Sequence, residues 1–433
     1  MLPSTVWWVA ADRFGSGDSM TITVSQLSSA STVEWNEAGN QWTWLMQLTQ
    51  QTSTDLNEHN KHVAASWGDS VGQLAASAID DLYNRFNIAT DAISAIITVL
   101  DALATTVSAA QTVLQDAMTA AAENGYGVNE DGSVQAIDVP DLDVQFAIDL
   151  QHTIQDALRS ANEADQQAAK DLQELAAQVN QTNETAALTM QNSVSQDALS
   201  IYADLLPPKG ASPQLVTQWW NSLAPGQQQD LENAVPLSLY NLDGIPQPVK
   251  DQLAGPGPVN RMTMVQFAAQ NWNNDSLNWF NANDNCTVFA SDALAAAGLP
   301  QNDEWSQAHL FFGLGPTSSI GSSPNWGLAQ GLHDYLTNTP PQPDGSGPIG
   351  KEVPPSQAKP GDLLFIQNGQ DNTQNGGANH IHHTAVVTAV LPNGDILYTQ
   401  HTDDAQNLSI DGRIQYLHEG EGNEHAVIVQ VGT

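Results

Sequence analysis

The sequence predicts a multidomain protein in which an all-α N-terminal half, a helical hairpin or bundle, precedes an α+β domain built on an antiparallel sheet. Three observations carry this. Apolar residues recur at steps of three and four from Ser31 to about Tyr202, the spacing of one helical face. Residues 205–262 turn dense in Pro and Gly, which marks a boundary. Beyond them, short β-branched runs such as GDLLFIQ, HTAVVTAVL, DILYTQHT and HAVIVQV are separated by Gly, Pro and Asn turns.

The elements follow in order. Residues 1–19 contain no basic segment leading into an apolar core, so they read as a variable extension without an ordinary secretory signal. Trp35, Trp42, Leu45, Leu48 and Leu56 line a first long helix. The break at Trp67, Gly68 and Asp69 supplies a stop and a new N-cap, and Leu74 to Leu114 continue as a second helix. Asp91, Asp101 and Asp116 interrupt its apolar stretch, so no membrane span is expected. Asp131-Gly132 predicts a small β-hairpin near 126–137. From Leu142 a helical period is expected to run to about Tyr202, where Pro207 and Pro208 stop it. One short helix around Trp219 and Trp220 is expected in the connector. In the C-terminal domain, TMVQFAAQNW and CTVFASDALAAAG read as helices.

Composition limits function. The 433 residues carry 11 Lys and Arg against 48 Asp and Glu, a net charge of −37. Such a surface repels phosphate backbones and anionic headgroups, which sets nucleic acid aside as a partner. The single cysteine, Cys286, removes intramolecular disulfides and multi-cysteine metal sites.

Cys286 falls at the start of a predicted helix, where free backbone N–H groups and the helix dipole favour the thiolate. The same amides can hold an oxyanion, with Asn285 and Thr287 as supporting candidates. His383 opens a strand and is the expected proton acceptor. His401 closes the next strand and is the expected orienting member, with Asp403, Asp404 and Asn407 as alternatives. A zinc site on His380, His382 and His383 lacks a third ligand at suitable spacing, so neither a metal nor another cofactor is expected. Trp272, Trp279, Trp305 and Trp326 are expected to divide between core and cleft.

Three resemblances extend this reading. MTITVSQL, the bend Trp and GYGVNEDGSV resemble the N-terminal helical region (20–204) of actinobacterial type VII secretion substrates of the Trp-x-Gly class, although Gly68 directly follows Trp67 here. That resemblance implies secretion without a cleavable signal, a small helical partner and a secretion machinery. WWNSL and NLDGIP resemble a connector that precedes catalytic domains, most often α/β hydrolases, but no Gly-x-Ser-x-Gly elbow follows. Residues 263–433 resemble the amidase domain of the papain-like group that includes NlpC-type and CHAP peptidoglycan enzymes. The family's Cys-Thr-x-Phe-x-Ser run falls on Cys286, Thr287, Phe289 and Ser291, its strand-leading histidine on His383, and its His-Thr pair on His401 and Thr402. The resemblance implies a secreted cysteine amidase or peptidase acting on peptidoglycan, with a toxin role that would require an immunity protein. A non-catalytic adaptor on the same scaffold and a protein deamidase or acyl-transfer toxin stand as alternatives.

Overall fold

The computed structural model describes residues 22–137, 143–177, 183–274, 285–307, 309–310, 320–321, 323–338, 350–369, 376–402, 404–411 and 424–432. The chain divides into two compact units between Gln228 and Gln229, inside the 205–262 connector. The extension 1–19 lies outside the described residues.

The first unit opens with α1 (Val24–Ser29), closed by a capping box in which Thr23 and Gln26 exchange bonds. Two long helices follow, α2 (Thr32–Ser66) and α3 (Ser70–Glu123). Asp69 caps α3 by accepting from the N–H groups of Val71 and Gly72, each at 2.9 Å. A Cβ at Gly72 would lie 1.9 Å from the carbonyl oxygen of Trp67, so only glycine lets the chain return here. Trp67 is 45% exposed, so it covers the bend and is not a core-filling aromatic.

The hairpin forms as expected between β1 (Tyr126–Val128) and β2 (Val134–Ala136). Glu130 ties it to α1 by accepting from Ser25 N–H and Oγ. The single helix expected from Leu142 to Tyr202 is instead two, α4 (Val144–Ala177) and α5 (Glu184–Asp204), the second capped by Asn183. Both pack on the second half of α3, where Ala95, Ala102, Ala109, Ala161 and Ala164 are almost wholly buried and let the helices approach closely. By length and composition α3 is long and apolar enough to cross a membrane, and the three acids do not prevent this; 72% of its most apolar window is buried within the protein.

The connector holds four helices where one was expected: α6 (Pro213–Ser222), α7 (Pro225–Ala234), α8 (Pro236–Tyr240) and α9 (Gln247–Ala254). Proline at the first helical positions of each explains this, since its fixed φ suits a helix start and its missing N–H has no intrahelical partner there. Trp220 on α6 is buried.

The second unit is α+β. Helices α10 (Arg261–Asn271), α11 (Cys286–Ala296), α12 (Pro324–Gly327) and α13 (Ala329–Asn338) accompany a six-stranded antiparallel sheet and a short pair, β3 (His309–Leu310) with β4 (Ile320–Gly321). The large sheet comprises β5 (Gly350–Val353), β6 (Leu363–Gln367), β7 (Ile381–Val390), β8 (Ile396–Gln400), β9 (Ala405–Ser409) and β10 (His425–Val431), in the order β5-β10-β6-β7-β8-β9. Alternation gives it two apolar faces. Leu363, Phe365, Val386 and Val429 join Phe289, Leu294, Trp305, Trp326 and Leu332 from the helices. Leu364, Ile366, Ala385, Val387, Tyr398 and Ile428 form a second cluster with Ile410. A buried ion pair between Arg261 and Asp362 joins the start of α10 to the turn before β6.

Candidate functional site

Cys286 is the first residue of α11 and 3% exposed. Its Sγ lies 3.7 Å from Oγ1 of Thr287, itself buried. The residue before it behaves unusually. An asparagine at an N-cap ordinarily accepts from amides of the first turn. Asn285 instead makes no capping bond, and its Oδ1 accepts from Thr402 Oγ1 at 2.9 Å and sits 2.8 Å from His401 Nδ1. The Asn285 side chain therefore does not cap the first turn of α11.

His383 lies on β7 opposite Ile366, next to an irregularity in the β6–β7 register. Its Nε2 is 2.9 Å from Oε1 of Gln400, the last residue of β8. Gln400 is 2% exposed, and its Nε2 donates to the carbonyl oxygen of Thr402 at 3.2 Å. That donation assigns the amide orientation, which turns Oε1 to His383 and makes His383 the Nε2–H tautomer. The contact to His383 Nε2 is thus made by Gln400, the neighbour of His401. His401 lies in the turn just past β8, where it meets Asn285 and Phe289.

His401 is 1% exposed and its ring lies 5.7 Å from that of Phe289. Nδ1 is also 3.5 Å from Oδ1 of Asp404, and Nε2 is buried without a hydrogen-bond partner. Among the other expected candidates, Asn407 accepts from Thr388 Oγ1 at 2.7 Å, which engages it at the far edge of β8. Asp403 lies outside the described residues. In the His380, His382 and His383 run, His382 pairs with buried Glu424 at 2.6 Å, so the histidines diverge in their partners. No cluster of three metal-ligating side chains occurs among the described residues.

The remaining parts of the Cys-Thr-x-Phe-x-Ser run are structural. Ser291 accepts from the indole N–H of Trp305 at 3.1 Å and donates to the carbonyl oxygen of Trp326 at 2.9 Å. It thereby seats two core tryptophans whose rings lie 4.6 Å apart. Trp305 and Trp326 are thus core, Trp272 is half-buried, and Trp279 lies outside the described residues.

Reasoning from sequence missed Gln400 and the role of Thr402. An uncharged amide at a strand end gives no titration signal. The available clue was the histidine one strand away, which requires an acceptor from its neighbour. Thr402 has φ 74°, which a β-branched residue adopts only under constraint.

Residues 258–429 match the family model described as Putative amidase domain. No curated protein and no solved structure matches the chain. The matched segment holds Cys286, His383, Gln400, His401 and Thr402, and it supports amidase-like hydrolase activity for the C-terminal unit. The six-stranded antiparallel sheet and the helices beside it form the α+β architecture of that segment.

Proposed function

We propose that this amidase-like domain is a papain-like cysteine amidohydrolase with Cys286 as nucleophile, His383 as proton carrier and Gln400 as the group that orients the imidazole. The reading rests chiefly on one observation: the only cysteine begins a helix whose N-cap residue, Asn285, makes no side-chain capping bond and is engaged by Thr402 and His401 instead. A thiolate there is favoured by the helix dipole.

Nδ1 of His383 takes the proton of the Cys286 thiol, while Nε2–H stays bonded to Gln400. The thiolate attacks the amide carbonyl, and the α11 amides hold the oxyanion. As the C–N bond breaks, the imidazolium gives its proton to the leaving amine. Water then gives a proton to Nδ1 and attacks the thioester, releasing the acid and returning the thiolate.

We assign peptidoglycan as the substrate class, either its muramoyl-peptide link or a stem-peptide bond. In this reading the protein is a secreted effector exported by a type VII route, with a small helical partner and a cognate immunity protein. Support for partner docking comes from the α2–α3 hairpin, where Trp44, Val71 and Leu74 are 65%, 55% and 72% exposed. Digestion of purified cell wall by the full chain tests the reading. New amino or carboxyl termini are expected with the wild type and none with Cys286→Ala; equal digestion by both forms would rule out Cys286 as the nucleophile, and no digestion by either would leave a non-catalytic adaptor.

A second assignment of the base has its own observation. His401 is the imidazole that touches α11, and its Nε2 is buried without a partner. Under that assignment His383→Ala retains thiolate character and His401→Ala loses it.

A further inference from the structure

We propose that Thr402 is a positioning residue that locks the nucleophile-bearing helix start and the imidazole-orienting amide into one unit. The inference rests on the thiol chemistry proposed above and assigns a residue that this chemistry does not itself name.

Thr402 touches both halves of the site. Its Oγ1 accepts the Asn285 N–H at 2.9 Å and donates to Asn285 Oδ1 at 2.9 Å, a two-point hold on the residue that precedes Cys286. Its carbonyl oxygen accepts from Gln400 Nε2 at 3.2 Å, and Gln400 Oε1 meets His383 Nε2 at 2.9 Å. One residue therefore fixes where the thiol begins its helix and which atom of Gln400 faces the imidazole. Both contacts require the chain to turn back at the end of β8, and φ 74° makes that turn. A β-branched side chain disfavours this conformation, which persists only where surrounding contacts over-determine it. Glycine or asparagine would adopt the turn more readily, but glycine has no hydroxyl to hold Asn285.

His401 Nδ1 shares the same acceptor, Asn285 Oδ1, at 2.8 Å. The amide of Asn285 is thus held by Thr402 and His401 together, and it is withheld from capping α11. Loss of the Thr402 hydroxyl releases the two-point hold on Asn285 and lets the start of α11, and with it Cys286, leave the place where it is held.

The test is the pH dependence of Cys286 labelling by iodoacetamide in the full chain, which needs no substrate. Thr402→Val keeps the branched shape and removes the hydroxyl; Thr402→Ser keeps the hydroxyl. The valine form is expected to label at least tenfold more slowly at pH 7, with its midpoint moved toward the ordinary thiol value near 8.5. The serine form is expected within about threefold of wild type. Asn285→Ala is expected to reproduce the valine effect, and the double variant to be no worse than either single one. Wild-type labelling of Thr402→Val, equal defects in valine and serine forms, or additive effects with Asn285→Ala would each overturn the proposal. If Thr402→Val loses its folded circular dichroism, Asn285→Ala against Thr402→Ser decides the matter. Failure of the enzymatic reading is separately visible as wall digestion that survives Cys286→Ala.

Discussion

The two units bury polar side chains in different ways. In the helical unit hydroxyls mostly fold back on their own helix: Thr98 donates to Ser94, Thr112 to Ser108 and Thr90 to Phe86, each to a carbonyl one turn earlier. Where they cross between helices, as Ser53 to Asn87 and Gln191 to Ser94, they join side chains on facing helices. In the C-terminal unit, buried polar groups tie together segments more than 100 residues apart. Arg261 meets Asp362, Asn285 meets Thr402, and His401 meets Asn285. The helical pattern is what regular packing produces by itself. The second pattern, joined to a positive φ at Thr402 and an Asn285 side chain that makes no capping bond, gathers around the start of α11 and the turn after β8.

Substitutions can break or sharpen this contrast. The largest expected effect is that of Cys286→Ala, which should lower amide hydrolysis at least about a thousandfold while thermal unfolding stays near wild type. Product release by mass spectrometry, with melting as control, checks it. Next comes Arg261→Ala, which strands the buried Asp362 carboxylate and should cost about 3–5 kcal/mol. Denaturant unfolding should show this loss in the C-terminal unit, with the helical signal of the first unit preserved. Gln400→Ala should reduce kcat about 10- to 100-fold by releasing the His383 ring, with KM little changed. A structural role alone would lower stability without that split.

The smallest effect belongs to the helical unit. Burial and the neighbouring Asp197 carboxylate push Asp171 up to about 7, against opposing contributions from the Gln167 amide and Lys170. A carboxyl raised above its unfolded value of 3.8 binds its proton more tightly when folded. Its stabilising effect is complete below about pH 4 and is lost as pH rises through about 7. Asp171→Asn should flatten that dependence and raise the melting temperature at pH 8 by several degrees, while leaving thiol reactivity of Cys286 untouched.

Much of the architecture is legible in the sequence because it depends on periodicity. The three- and four-residue spacing places α2 and α3, Asp131-Gly132 places the hairpin, and alternation places β6, β7, β8 and β10. The break that separates α4 from α5 was hidden, since the polar residues around Gln178 to Asn183 suit a solvated helix face as well as a turn. The connector helices were hidden by their prolines, which read as breakers but stand at helix starts. In the site, Cys286 was visible from its place at the head of CTVFASDAL. The partners of His383 were not, because β8 ends at Gln400 and a one-residue step carries the chain into the turn at His401. That step separates Gln400, which meets His383, from His401, which meets Asn285.

The most direct test of the central claim is the pH profile of Cys286 alkylation in wild type, His383→Ala and His401→Ala chains. The account predicts a wild-type thiol that reacts as thiolate well below pH 7 and returns to ordinary behaviour near 8.5 when His383 is removed. An ordinary profile in all three proteins, or one that changes with His401 and not with His383, would contradict it.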